Sequence, residues 1–246
     1  MSKCYVNVCG GIGNQLFQIA AGYAYSKKYE KELFINVTEW TASQGKQPNN
    51  YADNLLQNFE FHNGPLQNVH SIDEKEFNYN ELPYYDGDVV LNGYFQSLKY
   101  FQDYKDEFVS KLVLPKINTI FITNKSVAFH IRMGDYSRFP TIFGNNEEYF
   151  RKLFREYKDH NINVFTDSPE YVNRFLNEGE FNIFSSNSEL KDLTALAQHE
   201  ILVCSNSSFS WWASLLGVPK KKVYVPSKWL HDRDCSDIYY DGMIKI

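Results

Sequence analysis

From residue 126 onward the chain alternates short β-branched or aromatic runs with stretches of helical apolar spacing, and this constrains its fold more than any other feature. Residues 126–133, 162–166, 181–184, 201–204 and 223–226 read as strands. Between them, Tyr149, Phe150, Leu153, Phe154 and Tyr157 keep helical spacing, with Asn145 and Glu148 marking the helix start. Ser168-Pro169 predicts a capped helix with proline in its first position, closed by Asn177-Glu178-Gly179. Two further helices fit 188–198 and 211–216. Strands separated by helices must run parallel, so the pattern predicts an α/β sheet with helices on its faces.

The first half repeats the theme less regularly. Tyr5-Val6-Asn7-Val8-Cys9 reads as a strand, Gly10-Gly11-Ile12-Gly13-Asn14-Gln15 as a glycine-rich turn, and Leu16, Phe17, Ile19, Ala20, Tyr23 and Ala24 as the apolar side of a helix. Residues 33–37 and 89–93 are further strands. A helix is expected from Ser97 to about 111, ended by Pro115. Residues 38–88 show little periodicity, and we expect loops there with a short helix near 53–59 and irregular strands. A chain of 246 residues holds one large domain or two small ones. Residues 113–124 are the best candidate crossing, which predicts domains 1–118 and 119–246.

Composition narrows the function classes. A net charge of −5 argues against a nonspecific nucleic-acid or anionic-membrane binder, although a local basic pocket remains compatible with it. No apolar run approaches the roughly 20 residues of a membrane span, and Met1-Ser2-Lys3-Cys4-Tyr5 leads into a strand without a signal-peptide pattern. The four cysteines are scattered, so a reduced, soluble, cytoplasmic protein is expected. Nothing in the pattern sets an oligomeric state.

The chemistry-bearing residues gather at strand ends. Alternation along 126–133 puts His130 and Arg132 on one face, and Val127, Phe129, Ile131 and Met133 on the other, the natural buried face. Gly134-Asp135 then turns the backbone where an open α/β sheet binds ligands. A guanidinium is permanently charged and forked, matched to phosphate oxygens. Arg132 therefore marks either an anion site for a nucleotide diphosphate or an ordinary surface ion pair. Thr166-Asp167 and Asn206-Ser207-Ser208 end other strands of the same parallel sheet, so all three groups fall on one edge. The serine-rich segment precedes a helix, which suits an anion or simple capping. The Gly10–Gln15 loop either brings backbone N–H groups to a phosphate or sugar, or is a tight turn without a ligand. It has Leu16 where a dinucleotide fingerprint has its third glycine, and it lacks a P-loop ending. Trp211-Trp212 fits core packing better than a sugar platform. Asp86-Gly87-Asp88 and Asp232-Arg233-Asp234 look like metal-binding Asp-x-Asp pairs but read as solvated turn carboxylates, and the six histidines lack ligand spacing. No metal or cofactor is expected.

With these stretches in view, the chain resembles glycosyltransferase family 11, the α-1,2-fucosyltransferase family. Four separated segments match in the family's order: Gly10-Gly11-Ile12-Gly13-Asn14-Gln15-Leu16-Phe17-Gln18; Gly93-Tyr94-Phe95-Gln96-Ser97; His130-Ile131-Arg132-Met133-Gly134-Asp135-Tyr136; and Asp192-Leu193 through Asn206-Ser207-Ser208-Phe209-Ser210-Trp211-Trp212. Phe165-Thr166-Asp167 fits between the last two. The resemblance implies a GT-B type fold, two Rossmann-like domains facing across a cleft. It implies an inverting, metal-independent transfer of L-fucose from GDP-fucose to a galactoside hydroxyl, most simply in α-1,2 linkage, so the partners would be GDP-fucose and a galactose-containing glycan. Carried over, Arg132 would hold the diphosphate and stabilise departing GDP, and His130 would lie against the nucleotide. Asp192 would read guanine. Asn206, Ser207, Ser208 and Phe209 would line the phosphate and base pocket, Asp167 would join the donor site, and Gly11, Gly13 and Asn14 would approach the donor from the first domain.

Met133 departs from the family, which usually has a second arginine there; alternation turns it away from Arg132, so reduced support for Arg132 is expected, not loss of the phosphate contact. Asp135 is the first choice for the base that takes the acceptor proton, with Glu147 and Glu148 next. The irregular 38–88 region leaves room for another acceptor or GDP-sugar. Met133 also leaves room for a noncatalytic nucleotide- or sugar-binding homologue.

Overall fold

The computed structural model describes residues 1–38, 45–118, 122–123, 125–176 and 179–246, with the side chains of Asp135 and Ser137 outside the described set. The chain forms two compact units: Met1–Leu114 with Cys235–Tyr240, and Pro115–Asp234 with Asp241–Ile246. The sequence boundary of 118/119 falls slightly later, and nothing in the sequence pattern announced that 235–240 packs with the first unit.

The first unit contains β1 (Lys3–Asn7), α1 (Ile12–Lys28), β2 (Glu32–Asn36), β3 (Phe61–His62), β4 (His70–Asp73), β5 (Val89–Asn92) and α2 (Lys105–Lys111). Its strands pair in parallel in the order β3-β2-β1-β5-β4. The 17-residue α1 is buried on nearly all sides, as its apolar composition demands. Gly22 is what lets it lie so close to the sheet, because a Cβ there would overlap Val6. Two expectations fail here. The helix from Ser97 to 111 breaks into 3-10 turns at Leu98–Tyr100 and Gln102–Tyr104 before α2. Tyr100 and Phe101 are both buried, in the short 3-10 turns that replace the expected helix. Likewise 53–59 is a run of turns around buried Leu55 and Leu56, not a helix.

The second unit contains β6 (Ser126–Ile131), α3 (Pro140–Phe143), α4 (Glu147–Glu156), β7 (Asn161–Thr166), α5 (Pro169–Phe175), β8 (Asn182–Phe184), α6 (Glu189–Ala197), β9 (Ile201–Val203), α7 (Ser208–Leu215), β10 (Lys222–Val225) and β11 (Met243–Lys245). The order β11-β10-β9-β6-β7-β8 is parallel throughout. β11 and α3 were not legible in the sequence: each is a single short turn or strand with no room for a period. The core on one side of β6 joins Val127, Phe129 and Ile131 to Phe150, Leu153, Phe154 and Phe175, with Met133 packed against it. The opposite face, which carries His130, is buried too, so every residue of β6 is buried. A central parallel strand is covered by helices on both sides. The Asn177-Glu178-Gly179 signal expected to close the α5 stretch lies in part outside the described residues, at 177–178.

Candidate active site

The carboxyl end of β6 brings together His130, Arg132, Ser205 and Asp167. His130 is 7% exposed, and burial, with the Arg132 charge adding to it, pushes its imidazole down to about 4. It is therefore neutral at pH 7. Its ring lies against Phe209, centroids 5.3 Å apart, and its Nδ1 is buried without a hydrogen-bond partner among the described residues. The Ser205 hydroxyl donates to His130 O (2.7 Å) and accepts from Arg132 N (2.9 Å). A side chain from the β9 end thus continues the sheet bonding where β6 stops. Ser205 escaped the sequence reading; the run Ser205-Asn206-Ser207-Ser208 was the available signal, but not which serine would bridge.

Arg132 points its guanidinium to Asp167 at the end of β7, with Nη1 3.1 Å from Oδ2. Its side chain is 37% exposed, and its Cζ lies 5.8 Å from the centre of the Tyr136 ring. Asp167 Oδ1 accepts the N–H groups of Met133 (3.0 Å) and Gly134 (3.2 Å). Gly134 is the residue that permits this, since a Cβ there would stand 2.5 Å from Asp167 Oδ2. The pair is local to the strand-end edge, and both members were expected in the site. As an acceptor-only group, Asp167 orients the guanidinium instead of offering a bond to phosphate.

The other expected donor residues divide into two sets. Ser207 is the N-cap of α7 and Ser208 and Phe209 open the helix, so their N–H groups belong to the first turn, which has no partners within the helix. Asn206 is 2% exposed and its amide is spent internally, donating to Phe143 O (3.1 Å) and Trp229 O (2.8 Å) and accepting from Asn146 (3.2 Å). Asp192, in the first turn of α6, accepts the N–H (3.0 Å) and hydroxyl (2.6 Å) of Ser186. The Asp135 side chain lies outside the described residues. Glu147 is half-buried while Glu148 is exposed, and the Tyr171 hydroxyl donates to Glu147. A pocket of about 280 Å³ beside Arg132 is lined by Glu147, Tyr171 and several aromatic rings. Trp211 and Trp212 are fully buried, as core packing requires.

In the first unit, Gly11 caps α1 and its carbonyl accepts from Asn14 N (2.9 Å) and Gln15 N (3.1 Å). A Cβ on Gly11 would meet nothing within 4 Å, whereas Gly10 has φ +75°, a conformation that favours glycine. Gly13 sits buried in the first turn of α1. Asn14 Oδ1 accepts from Gln96 Nε2 (2.8 Å), so two of the sequence segments, far apart in the chain, are joined by one hydrogen bond. Glu74 was missed: it accepts Tyr94 N (2.7 Å) and Phe95 N (2.9 Å) and so shapes the Gly93–Ser97 segment. It lies in the aperiodic stretch, where no pattern marked it. Among the described residues, no cluster of His, Cys, Asp or Glu could hold a metal ion. Asp88 accepts Lys3 N (2.7 Å), and Asp232 pairs with Arg233 (2.7 Å).

Two parallel α/β units, one of them carrying a cation and a helix N-terminus at the same sheet edge, fit the GT-B type of glycosyltransferase fold. The chain belongs to glycosyl transferase family 11, whose model matches residues 3–242. It is 24% identical to an α-1,2-colitosyltransferase of Escherichia coli over 88% of each chain. It is 22% identical to the O-antigen biosynthesis glycosyltransferase WbnK of Escherichia coli, over 98% of this chain and all of that one. Among solved structures, the fucosyltransferase NodZ from Bradyrhizobium superposes with a TM-score of 0.58 at 11% identity, over 88% of this chain and 94% of that one. NodZ α-1,6-fucosyltransferase co-crystallized with GDP gives 0.52 at 12% identity, over 88% and 93%. No described helix is long and apolar enough to cross a membrane.

Proposed function

We propose that this glycosyltransferase moves L-fucose from GDP-fucose to a galactoside hydroxyl, in α-1,2 linkage, with inversion and without a metal ion. The observation that carries the reading is the Arg132 guanidinium, held at the carboxyl end of β6 by Asp167 and Tyr136 in the fold of family 11. Negative charge grows on the diphosphate as the glycosidic bond breaks. A fixed cation and first-turn N–H groups offset it without reorganising, which is where such groups lower a barrier most. His130, neutral and lying against Phe209, presents an aromatic wall for the nucleotide. Asp167 keeps the guanidinium aimed, and Asp192 with Ser207 and Ser208 completes the donor side. Asp135 is the first position to test for the acceptor base; Glu147, which lines a pocket with Arg132, is the second.

Arg132→Ala is expected to lower kcat about a hundredfold or more, the usual cost of removing one preorganised donor to a developing anion, while the melting temperature stays close to that of the parent. Unchanged transfer by this variant would overturn the site. Transfer is expected to persist in excess EDTA; a requirement for added divalent ions would instead bring Asp86 and Asp88 into the mechanism. Identity to an α-1,2-colitosyltransferase favours one second reading, colitosyl transfer. Parallel assays with GDP-fucose and the corresponding colitosyl donor separate the two.

A further inference from the structure

The pocket beside Arg132 has a character of its own. Ile131, Phe150 and Phe175 give it apolar walls from β6, α4 and α5. Tyr136 and Phe143 stack face to face with centroids 3.7 Å apart and line it as a rigid plate. Its charged lining is Arg132 and Glu147, with the phenols of Tyr136 and Tyr171 beside them. The volume of about 280 Å³ lies just below the roughly 300–1,000 Å³ of small-molecule sites. That is room for one six-membered ring, not for a nucleoside diphosphate.

The charges decide what kind of ring. A phosphate placed beside the Glu147 carboxylate would be repelled, whereas Arg132 attracts it. The part of a substrate that fills the pocket must then be neutral, with hydroxyls for Glu147 and C–H faces for the aromatic rings. Tyr171 spends its hydroxyl on one carboxylate oxygen of Glu147. A carboxylate accepts several hydrogen bonds, so this contact orients Glu147 without exhausting it. Burial, with the Glu147 contact adding to it, raises the Tyr171 phenol well above its ordinary range, so Tyr171 stays a hydroxyl donor at neutral pH.

We propose that this pocket is a pyranose subsite, in which Glu147, held by Tyr171, recognises a sugar hydroxyl and the Tyr136–Phe143 plate packs against the ring. The assignment rests on the reading of Arg132 as the diphosphate anchor, and deepens it by locating a sugar beside that anchor. The pyranose comes either from the donor, with its diphosphate at Arg132, or from the acceptor.

Calorimetric titrations distinguish these sources. GDP and GDP-fucose are titrated separately into the parent protein, Glu147→Gln and Tyr171→Phe, and lactose is titrated into each GDP complex. Both substitutions are near-isosteric, and thermal melts verify folding. If the donor sugar occupies the pocket, GDP-fucose binding weakens about tenfold or more in Glu147→Gln, the scale of a lost hydrogen bond to a charged group, and GDP binding is unchanged. If the acceptor sugar occupies it, lactose binding weakens by a similar factor and both nucleotides bind as before. Sugar binding unchanged in both variants, or an equal loss for GDP and GDP-fucose, would overturn the assignment. Parent protein that does not bind GDP, or Arg132→Ala that binds it as tightly, would overturn the donor reading itself and the pocket assignment with it.

Discussion

Individual side chains in this protein are set by burial more than by their neighbours' charge. His130 and His199 both sit near 4, each lowered chiefly by burial. His199 shows how neutrality is enforced: its Nδ1 lies 2.9 Å from Ala195 O and its Nε2 3.0 Å from the Asn163 amide nitrogen, so one nitrogen donates and the other accepts. An imidazolium would have a proton too many for that arrangement. Both groups bind their proton more readily in the unfolded chain, near 6.5, than in the folded one. Their contribution to stability is therefore complete above about pH 6.5 and is lost as pH falls toward 4, at about 3 kcal/mol each. Urea denaturation at pH 7.5, 6 and 5 is expected to show a stability that declines through this window, and His199→Gln is expected to flatten the slope. A slope unaffected by that variant would contradict the assignment. Legibility at this scale was mixed. Alternation along 126–133 correctly separated Arg132 from Met133. It did not reveal that Asn206 turns inward, because an amide reads the same in sequence whether it meets a ligand or three loops.

At the scale of elements, the short irregular connections matter most. The Gly93–Ser97 segment leaves β5 with Phe95 at φ +50°, an unusual value for a non-glycine residue. Glu74 holds it there by accepting two consecutive N–H groups, and Gly93 leaves room, because a Cβ would collide with Glu74. Burial raises the Glu74 carboxyl above its ordinary value against the pull of those hydrogen bonds. Glu74→Ala leaves two N–H groups without their acceptor, so a loss of about 2–4 kcal/mol is expected by denaturant unfolding, at about 1–2 kcal/mol per bond. Because Gln96 in this segment donates to Asn14 of the glycine loop, the variant should also raise the KM for the donor if the loop serves the donor site. The long helices and central strands were legible from periodicity. The turns between 53 and 59 and between 98 and 104 were not, since their apolar spacing, with buried pairs such as Leu55-Leu56 and Tyr100-Phe101, is the spacing that regular α4 also shows.

For the whole molecule, the decisive feature is that the chain returns to its first unit near the C-terminus. Residues 235–240 belong with 1–114, where Asp237 pairs with Lys99 (2.6 Å), accepts Tyr79 N (3.1 Å) and donates its own N–H to Asn78 (3.1 Å). Ile238 in the same segment is 1% exposed. A fragment of residues 1–118 lacks this piece, leaves its apolar seat open, and is expected to melt several degrees below the same unit in the full chain, or not to fold cooperatively. Circular dichroism of the fragment, with and without a fused 234–241 segment, measures the difference; equal melting with and without the segment would show that it contributes nothing.

The alternation of the long helices and central strands, and the edge on which Arg132, Asp167 and the Ser207 turn emerge, follow from local pattern, because the two periods of strand and helix are written in successive side chains. Which groups those residues touch is another matter. The Arg132–Asp167 pair, the Ser205 bridge, the Glu74 clamp and the return of 235–240 join positions distant in the chain. Such contacts are chosen by how the packed layers bring backbone ends together, a property of the folded volume that no local run of residues encodes.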